Sequence, residues 1–506
     1  MSAYLQRALD AIEEREAKLL VWGDTEVGFS RTELENIIEP LLGPDDPSDY
    51  EVIGELQDHV MLYETTECNV DGEPIFRSRM TESVRLYSHL RQWFHGQSIQ
   101  ESKTLVSDFR FMRKPRYYPD RNQVLSGVLP LWLKRGVVND LKQKALQALV
   151  GDFQMAGFQK RAIERILVGI PDFGRGYSKN NTKNITSTII CAGTGSGKTN
   201  AFYWPALAHI VDDVIGEPDA RVRALTIYPR NELLKDQFNE AWQQCRALDA
   251  LMKGEGARKL KIGAFFGDTF SNIKSAQHKA EQDKQSFHTF SLLKCRNEGC
   301  SGELRWNKGD FDKGLELLRC NSCGSEVGSD EVVLTRESMV ASPPDIIFTT
   351  TEMLNQRMGD PKFGVLFGIK SKRHVPLVLL DEVHTYSGTT GASVALLLRR
   401  WRRLAGRYPH FVGLSATLTG AENFFSQLTG VKQERTELIE PLAEEMIEEG
   451  SEYMLALRGD AVSKTALLST TIQTAILASR LQDKGTGSSP ISDGTWGTKT
   501  FVFSDD

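Results

Sequence analysis

The run Ala192-Gly193-Thr194-Gly195-Ser196-Gly197-Lys198-Thr199 constrains this chain more than any other stretch. It follows the apolar Thr188-Ile189-Ile190-Cys191 and precedes Ala201-Phe202-Tyr203-Trp204-Pro205. Strand, glycine-rich turn and helix start, in that order, are the setting a phosphate-binding loop requires. Three glycines let the backbone curl until several N–H groups point at one spot. The following helix adds the positive end of its dipole there. At this spacing Lys198 reaches the β- and γ-phosphates of a nucleotide, and the Thr199 hydroxyl ligates Mg²⁺. Ala192 stands where the strict pattern has glycine.

From Phe153 to about Gly430, short β-rich runs alternate with longer helical segments. The runs are Ser187–Cys191, Ala224–Tyr228, Ile262–Phe266, Ile346–Thr350, Leu377–Leu380 and His410–Leu414. Strands separated by helices imply βαβ crossovers and a parallel sheet flanked by helices, an α/β fold. Ligands of such sheets bind at the carboxyl ends of the strands. The run Leu377–Leu380 ends in Asp381-Glu382-Val383-His384. Downstream of a phosphate loop, Asp381 is placed to hold Mg²⁺ beside Thr199, and Glu382 to orient and deprotonate an attacking water.

Seven cysteines include one cluster, Cys295, Cys300, Cys320 and Cys323. Two close pairs suit a tetrahedral Zn²⁺ site, with Gly299, Gly302 and Gly324 allowing tight turns around it. Four bound thiolates supply on the order of 10 kcal/mol to a segment too small for its own core. A filled Cys₄ shell has no open position, so the reading is a structural staple. An odd cysteine total with one cluster fits a reducing compartment, not a disulfide framework.

The chain has 506 residues and a formal net charge of -6. That length allows two to four domains. The charge excludes a uniformly basic nucleic-acid coat but leaves room for a basic groove. No apolar run approaches bilayer-spanning length. The N-terminal MSAYLQRALDAIEEREAKLL reads as an amphipathic helix, not a signal peptide. A cytoplasmic protein without a membrane partner is expected. The stretch Val106–Tyr118 interleaves cations with aromatics, which suits phosphate contact and base stacking, or a solvated loop anchored by its rings. Arg399-Arg400-Trp401-Arg402-Arg403 reads as an interface or DNA-facing helix, or as a solvated face.

The pairing of AGTGSGKT with DEVH resembles motifs I and II of superfamily 2 helicases, the DEAD/DEAH-box group. Further segments match in the family's order. Phe158-Gln159 resembles the Q motif, whose glutamine reads adenine; Phe158 stands where many relatives carry His. Pro229-Arg230-Asn231 opens a segment similar to motif Ia, which grips the nucleic-acid backbone. Gly267-Asp268 resembles the GDT turn of the DNA-helicase branch, and Thr349-Thr350 lies in a segment similar to motif Ib. Ser415-Ala416-Thr417 resembles the SAT of motif III, which couples hydrolysis to strand movement, and the resemblance implies that His384 links motif II to it. Thr500–Ser504 resembles the motif IV strand. The segment DEVHTYSGTTGASVALLLRRWRR is similar to large DNA helicases of the Lhr and MrfA types. RSRMTESVRLYSHLRQWF is similar instead to bacterial phage-defence or DNA-modification helicases of the DpdJ type.

The resemblance implies ATP and Mg²⁺ as cofactors, DNA as partner, and a RecA-like sheet carrying an inserted zinc ribbon. The expected layout is a mainly helical accessory domain over 1–148 and a first RecA-like domain over 149–435, with the ribbon at about 288–332. Residues 436–506 are expected to be an acidic linker and the incomplete start of a second RecA-like domain. The family's motifs V and VI, with the arginine finger, would then come from a second polypeptide or a missing C-terminal part. That finger is worth roughly 10³–10⁵ in rate, so weak hydrolysis by this chain alone is expected. Alternatives are a nucleotide-switched nucleic-acid scaffold without autonomous helicase activity, or an RNA helicase.

Overall fold

Alternate residues of the apolar runs serve two different cores. Ile190, Leu377, Leu379, Val412 and Leu414 join one cluster, whereas Ile189, Val378, Leu380 and Phe411 join another. Successive strand side chains point to opposite faces, so a strand buried on both sides must be apolar throughout. In this computed structural model the described residues are 2–92, 95, 96, 98, 102–171, 186–369, 371, 374–406, 409–416, 418–459, 464–484 and 490–503. The chain divides into two compact units, Met1–Tyr117 with Glu448–Asp506, and Tyr118–Ile447.

The larger unit is built on an eight-stranded sheet. Its strands are β1 (Ser187–Cys191), β2 (Ala224–Tyr228), β3 (Ile262–Phe265), β4 (Val332–Val333), β5 (Ile346–Thr350), β6 (Leu377–Leu380), β7 (His410–Ser415) and β8 (Thr436–Ile439). The spatial order is β4-β3-β5-β2-β6-β7-β1-β8, and every pairing is parallel. Helices α1 (Gly157–Gly169), α2 (Lys198–Gly216) and α3 (Asn231–Ala247) pack on one face. Helices α4 (Gly388–Ala405) and α5 (Ala421–Thr429) pack on the other. The six expected strands are present. The two edge strands, β4 and β8, are not among the six: β4 is a buried strand of only two residues, too short to read as a run, and β8 carries the exposed Glu437.

Between β3 and β4 the chain inserts a small antiparallel sheet of Phe287–Thr289, Leu304–Asn307, Leu317–Cys320 and Glu326–Gly328. This is the expected ribbon.

The unit boundaries differ from the expected ones. Helices Leu125–Lys134 and Asp140–Val150 belong to the larger unit, because Trp132 and Leu146 are buried in the core that also contains Phe158 and Ala162. β8 extends the sheet past 435, so the expected linker starts inside it. Residues from Glu448 onward join the N-terminal unit and not a unit of their own. Thr500–Phe503 form no strand, and Phe501 and Phe503 are 76% and 91% exposed. Ser504 lies outside the described residues.

The smaller unit is mixed, not mainly helical. Helix Ala3–Leu20, strand Phe29–Ser30, helices Arg31–Ile38 and Asp49–Asp58, then strands Leu62–Cys68 and Pro74–Ser78 follow in order. The three strands form one antiparallel sheet, with Pro74–Ser78 in the middle. This order and pairing are those of a winged helix–turn–helix. Its second helix of the pair, Asp49–Asp58, carries Asp49, Glu51, Glu55 and Asp58 and no Lys or Arg. The stretch Val106–Tyr118, expected either to contact nucleic acid or to form a solvated loop, lies in a fourteen-residue strand, Val106–Pro119, paired with Met446–Gly459.

Candidate functional site

The sheet order brings the phosphate loop and the acidic turn to the same edge. The loop leaves the end of β1, the Asp381 turn leaves β6, and only β7 lies between them. Gly195 and Gly197 have φ of 79° and 88°, a region that L side chains rarely occupy. Gly197 is the N-cap of α2, so the loop N–H groups converge on the helix start. Lys198 Nζ donates to the carbonyl oxygens of Ala192 at 2.9 Å and Gly193 at 3.5 Å. Ser196 Oγ donates to the same Gly193 oxygen at 2.7 Å. Gly193, Thr194 and Gly195 are exposed, and Thr199 is half-buried on the first turn of α2. A glycine loop leading into a helix N-terminus is the arrangement that binds phosphate, with Lys198 and Thr199 as its candidate contacts.

Gln159 is fully buried and braces the loop from behind. Its Oε1 accepts from Ala156 N at 2.8 Å, and its Nε2 donates to Gly197 O at 3.0 Å. A Cβ on Gly197 would stand 2.6 Å from that nitrogen. Phe158 corrects the expectation that it lines the nucleotide site. It is completely buried in the core on the α1 face and packs rather than binds.

Arg121 is a neighbour that sequence reasoning missed. It pairs with Ala156 across two short strands, Arg121–Gln123 and Met155–Ala156. Its guanidinium donates to Gly195 O at 3.2 Å and lies 5.2 Å from the centre of the Phe153 ring. Nothing in the local sequence marks it, since the contact joins segments more than seventy residues apart.

Asp381 is 7% exposed at the end of β6. Burial pushes its pKa up to about 6; the nearby Glu382 carboxylate also raises it, while the Glu382 N–H and Lys198 restrain the rise. Glu382 N donates to Asp381 Oδ1 at 2.8 Å. Glu382 itself has φ 46° and ψ 50°, a strained conformation for a residue with a side chain. The two adjacent carboxylates thus have different surroundings: Asp381 is buried at the strand end, whereas Glu382 is partly exposed and reaches His384. His384 Nδ1 lies 3.3 Å from both Glu382 Oε2 and Ser415 Oγ. It therefore bridges the acidic turn to the end of β7. Ser415 is buried, its carbonyl accepts from Ala192 N at 3.3 Å, and Ala416 follows it. Thr417 lies outside the described residues.

The four clustered cysteines converge. All four sulfurs lie within 4.8 Å of one another. Cys295 and Cys323 are 3.4 Å apart, and Cys300 and Cys320 are 3.6 Å apart. A tetrahedral shell with ~2.3 Å Zn–S bonds has sulfurs about 3.8 Å apart. The donor set and its spacing fit Zn²⁺. Donors from the Ser325 hydroxyl and backbone hold the Cys323 thiol down to about 6, so it offers a thiolate at neutral pH. A Cβ on Gly302 would meet Cys320 Sγ at 2.5 Å and Ser322 Oγ at 2.7 Å, so only glycine fits that turn.

The candidate nucleic-acid residues follow the ends of β2, β3 and β5, which are neighbours in the sheet. Arg230, Gly267 and Asp268 are exposed, while Pro229, Asn231 and Thr350 are half-buried. Thr350 caps the next helix by accepting from Met353 N. Thr349 is a correction: it is buried, and its hydroxyl donates to Phe265 O at 2.7 Å across the sheet. The arginine run on α4 also has a structural task. Arg399 donates to the Gln427 and Leu428 carbonyls, and Arg402 to that of Thr429. These cations sit at the C-terminus of α5, where its dipole is negative. Arg403 is exposed.

Residues 158–279 match the family model "DEAD/DEAH box helicase". The Druantia protein DruE of Escherichia coli (strain UMEA 4076-1) is 26% identical over 256 residues, which is 43% of this chain and 14% of that protein. The ATP-dependent helicase Lhr-Core of Methanocaldococcus jannaschii is 35% identical over 91 residues, 18% of this chain and 10% of that one. The chain thus spans a small share of these curated relatives' length. The crystal structure of the DUF1998 helicase MrfA bound to DNA superposes with a TM-score of 0.42 at 18% identity, covering 74% of this chain and 37% of that one.

Proposed function

Because the chain carries a DEAD/DEAH box helicase domain, of the superfamily 2 kind that hydrolyses ATP, we propose that it is the nucleotide-binding half of an ATP-dependent DNA translocase or helicase. The observation that carries this reading is the shared edge of the sheet. Lys198 and Thr199 on one side and Asp381 and Glu382 on the other flank a single strand, β7. Lys198 would hold the β- and γ-phosphates, Thr199 and Asp381 would hold Mg²⁺, and Glu382 would orient the attacking water. Gln159 would keep the loop in register, and His384 would report the state of Glu382 to Ser415.

The strand ends at Arg230 and Asp268 would carry the nucleic acid on the same edge, so hydrolysis and grip share one rigid element. The acidic helix Asp49–Asp58 supports placing that grip on the sheet and not on the winged unit, because its carboxylates repel phosphates. The second RecA-like unit would come from further chain or from another polypeptide. An apolar stripe supports this: Leu468, Ile472 and Ile476 recur at helical spacing on Lys464–Leu481 and are 62%, 49% and 49% exposed. The resemblance of RSRMTESVRLYSHLRQWF supports a role in bacterial DNA processing or phage defence. No described helix is long and apolar enough to cross a membrane.

The test is ATP turnover with single-stranded DNA, single-stranded RNA or neither, for the chain and for Lys198→Ala. The reading expects slow turnover that DNA raises more than RNA and that Lys198→Ala abolishes. Turnover that survives Lys198→Ala would refute it, and stimulation by RNA alone would refute the DNA assignment.

A further inference from the structure

The ribbon has a use that a purely structural zinc staple leaves unexplained. A pocket of about 80 Å³ opens where the Asp268 turn meets the ribbon's first strand, Phe287–Thr289. That is several times the ~10–15 Å³ that admits one water, so the pocket has room for a ligand group. It lies just past the end of β3, on the edge that carries Arg230 and Thr350.

The lining has two characters. Phe270, His288 and Phe290 supply aromatic wall, with Phe270 and His288 packed edge-to-face at 4.8 Å. Lys235, from the second turn of α3, and Asp268 supply charge at the mouth. Among the described residues no carboxylate lies within ion-pairing reach of Lys235, and no hydrogen bond engages the His288 ring nitrogens. Burial lowers the pKa of His288, so at neutral pH the ring is uncharged, with one nitrogen to donate and one to accept.

An aliphatic ligand would leave the half-buried His288 nitrogens unpaired, which is unfavourable. A bare phosphate would face the Asp268 carboxylate. A heteroaromatic ring with donors and acceptors on its edge matches both the aromatic walls and the polar groups. We infer that this pocket receives one unstacked nucleobase of the strand lying across the sheet edge, so that the zinc ribbon supplies one wall of a base-binding site. This rests on the nucleic-acid reading above. The backbone would be held by Arg230 and Lys235 while the ribbon held one base, giving a fixed register along the strand.

The experiment uses the full chain, loaded with zinc, and a series of single DNA strands, each carrying 2-aminopurine at one position. The expected result is one position whose emission departs from its neighbours on binding, and loss of that departure in Phe270→Ala. An abasic site at that position should weaken binding by wild type roughly tenfold and leave Phe270→Ala unaffected. Phe270→Leu keeps apolar volume without a ring, and it should lose the signal while retaining the wild-type melting temperature and zinc content. A uniform response along a bound wild-type strand would overturn the pocket alone. Failure to bind any strand would overturn the nucleic-acid reading and the pocket with it.

Discussion

Asp381 sets stability against chemistry, and Asp381→Asn separates the two. Burial raises its pKa from 3.8 to about 6, so the ionised form that would hold Mg²⁺ is the costly one in the metal-free fold. A rise of that size corresponds to roughly 3 kcal/mol. The folded chain binds this proton more tightly than the unfolded chain does. Stability therefore falls as pH rises from 3.8 to about 6, and the full cost is present above that window. In Asp381→Asn the side-chain oxygen keeps the 2.8 Å bond from Glu382 N, while the new amide N–H₂ costs about 1 kcal/mol for want of an acceptor. The net expectation is a metal-free variant about 2 kcal/mol more stable than wild type at about pH 7.5, with no such gain at about pH 4. Urea unfolding in the presence of a chelator, at both pH values, reads this directly. Adding Mg²⁺ and ATP should stabilise wild type more than the variant, which keeps Lys198 and the loop for the phosphates, and the variant should lose ATP hydrolysis. A variant no more stable than wild type at about pH 7.5, or a gain that persists unchanged at about pH 4, would refute the reasoning.

Three further outcomes are expected. Gln159→Ala leaves Ala156 N–H and Gly197 C=O without their buried partner; unfolding should show a loss of about 2–4 kcal/mol, together with weaker ATP binding by equilibrium titration. Gly302→Ala drives a Cβ into Cys320 Sγ and Ser322, so zinc per chain by atomic absorption should fall well below one, and a chelator should lower the melting temperature of wild type but hardly that of the variant. Arg230→Ala should lower the slope of log affinity against log salt for single-stranded DNA by about one, whereas Thr349→Val should leave that slope alone and cost about 1 kcal/mol of stability.

The site was more legible than the boundaries. The phosphate loop, the Asp381-Glu382 turn and the four cysteines each announce themselves, because each needs specific residue types at fixed short spacing. Phe158 and Thr349 did not follow their neighbours. Both lie beside residues that face a ligand, but strand and helix geometry turns their side chains into the protein, where Phe158 packs and Thr349 ties two strands. The strand Val106–Pro119 was hard to read because its cations mask an apolar side that includes Phe109, Phe111 and Pro119. The edge strand Thr436–Ile439 hid for a related reason, since an edge can be polar on one side and still pair.

By itself the sequence determined the chemistry of each local element: a glycine turn that can bind phosphate, carboxylates at a strand end, thiols at metal spacing, and apolar runs that demand cover on both faces. These follow from residues close together in the chain. Only the tertiary structure decided which of them meet. It set β7 alone between the loop and Asp381, brought Gln159 and Arg121 to the loop, joined His384 to Ser415, and closed the ribbon over the Asp268 turn. Those contacts join segments tens to hundreds of residues apart, and their geometry depends on how the whole sheet stacks its strands.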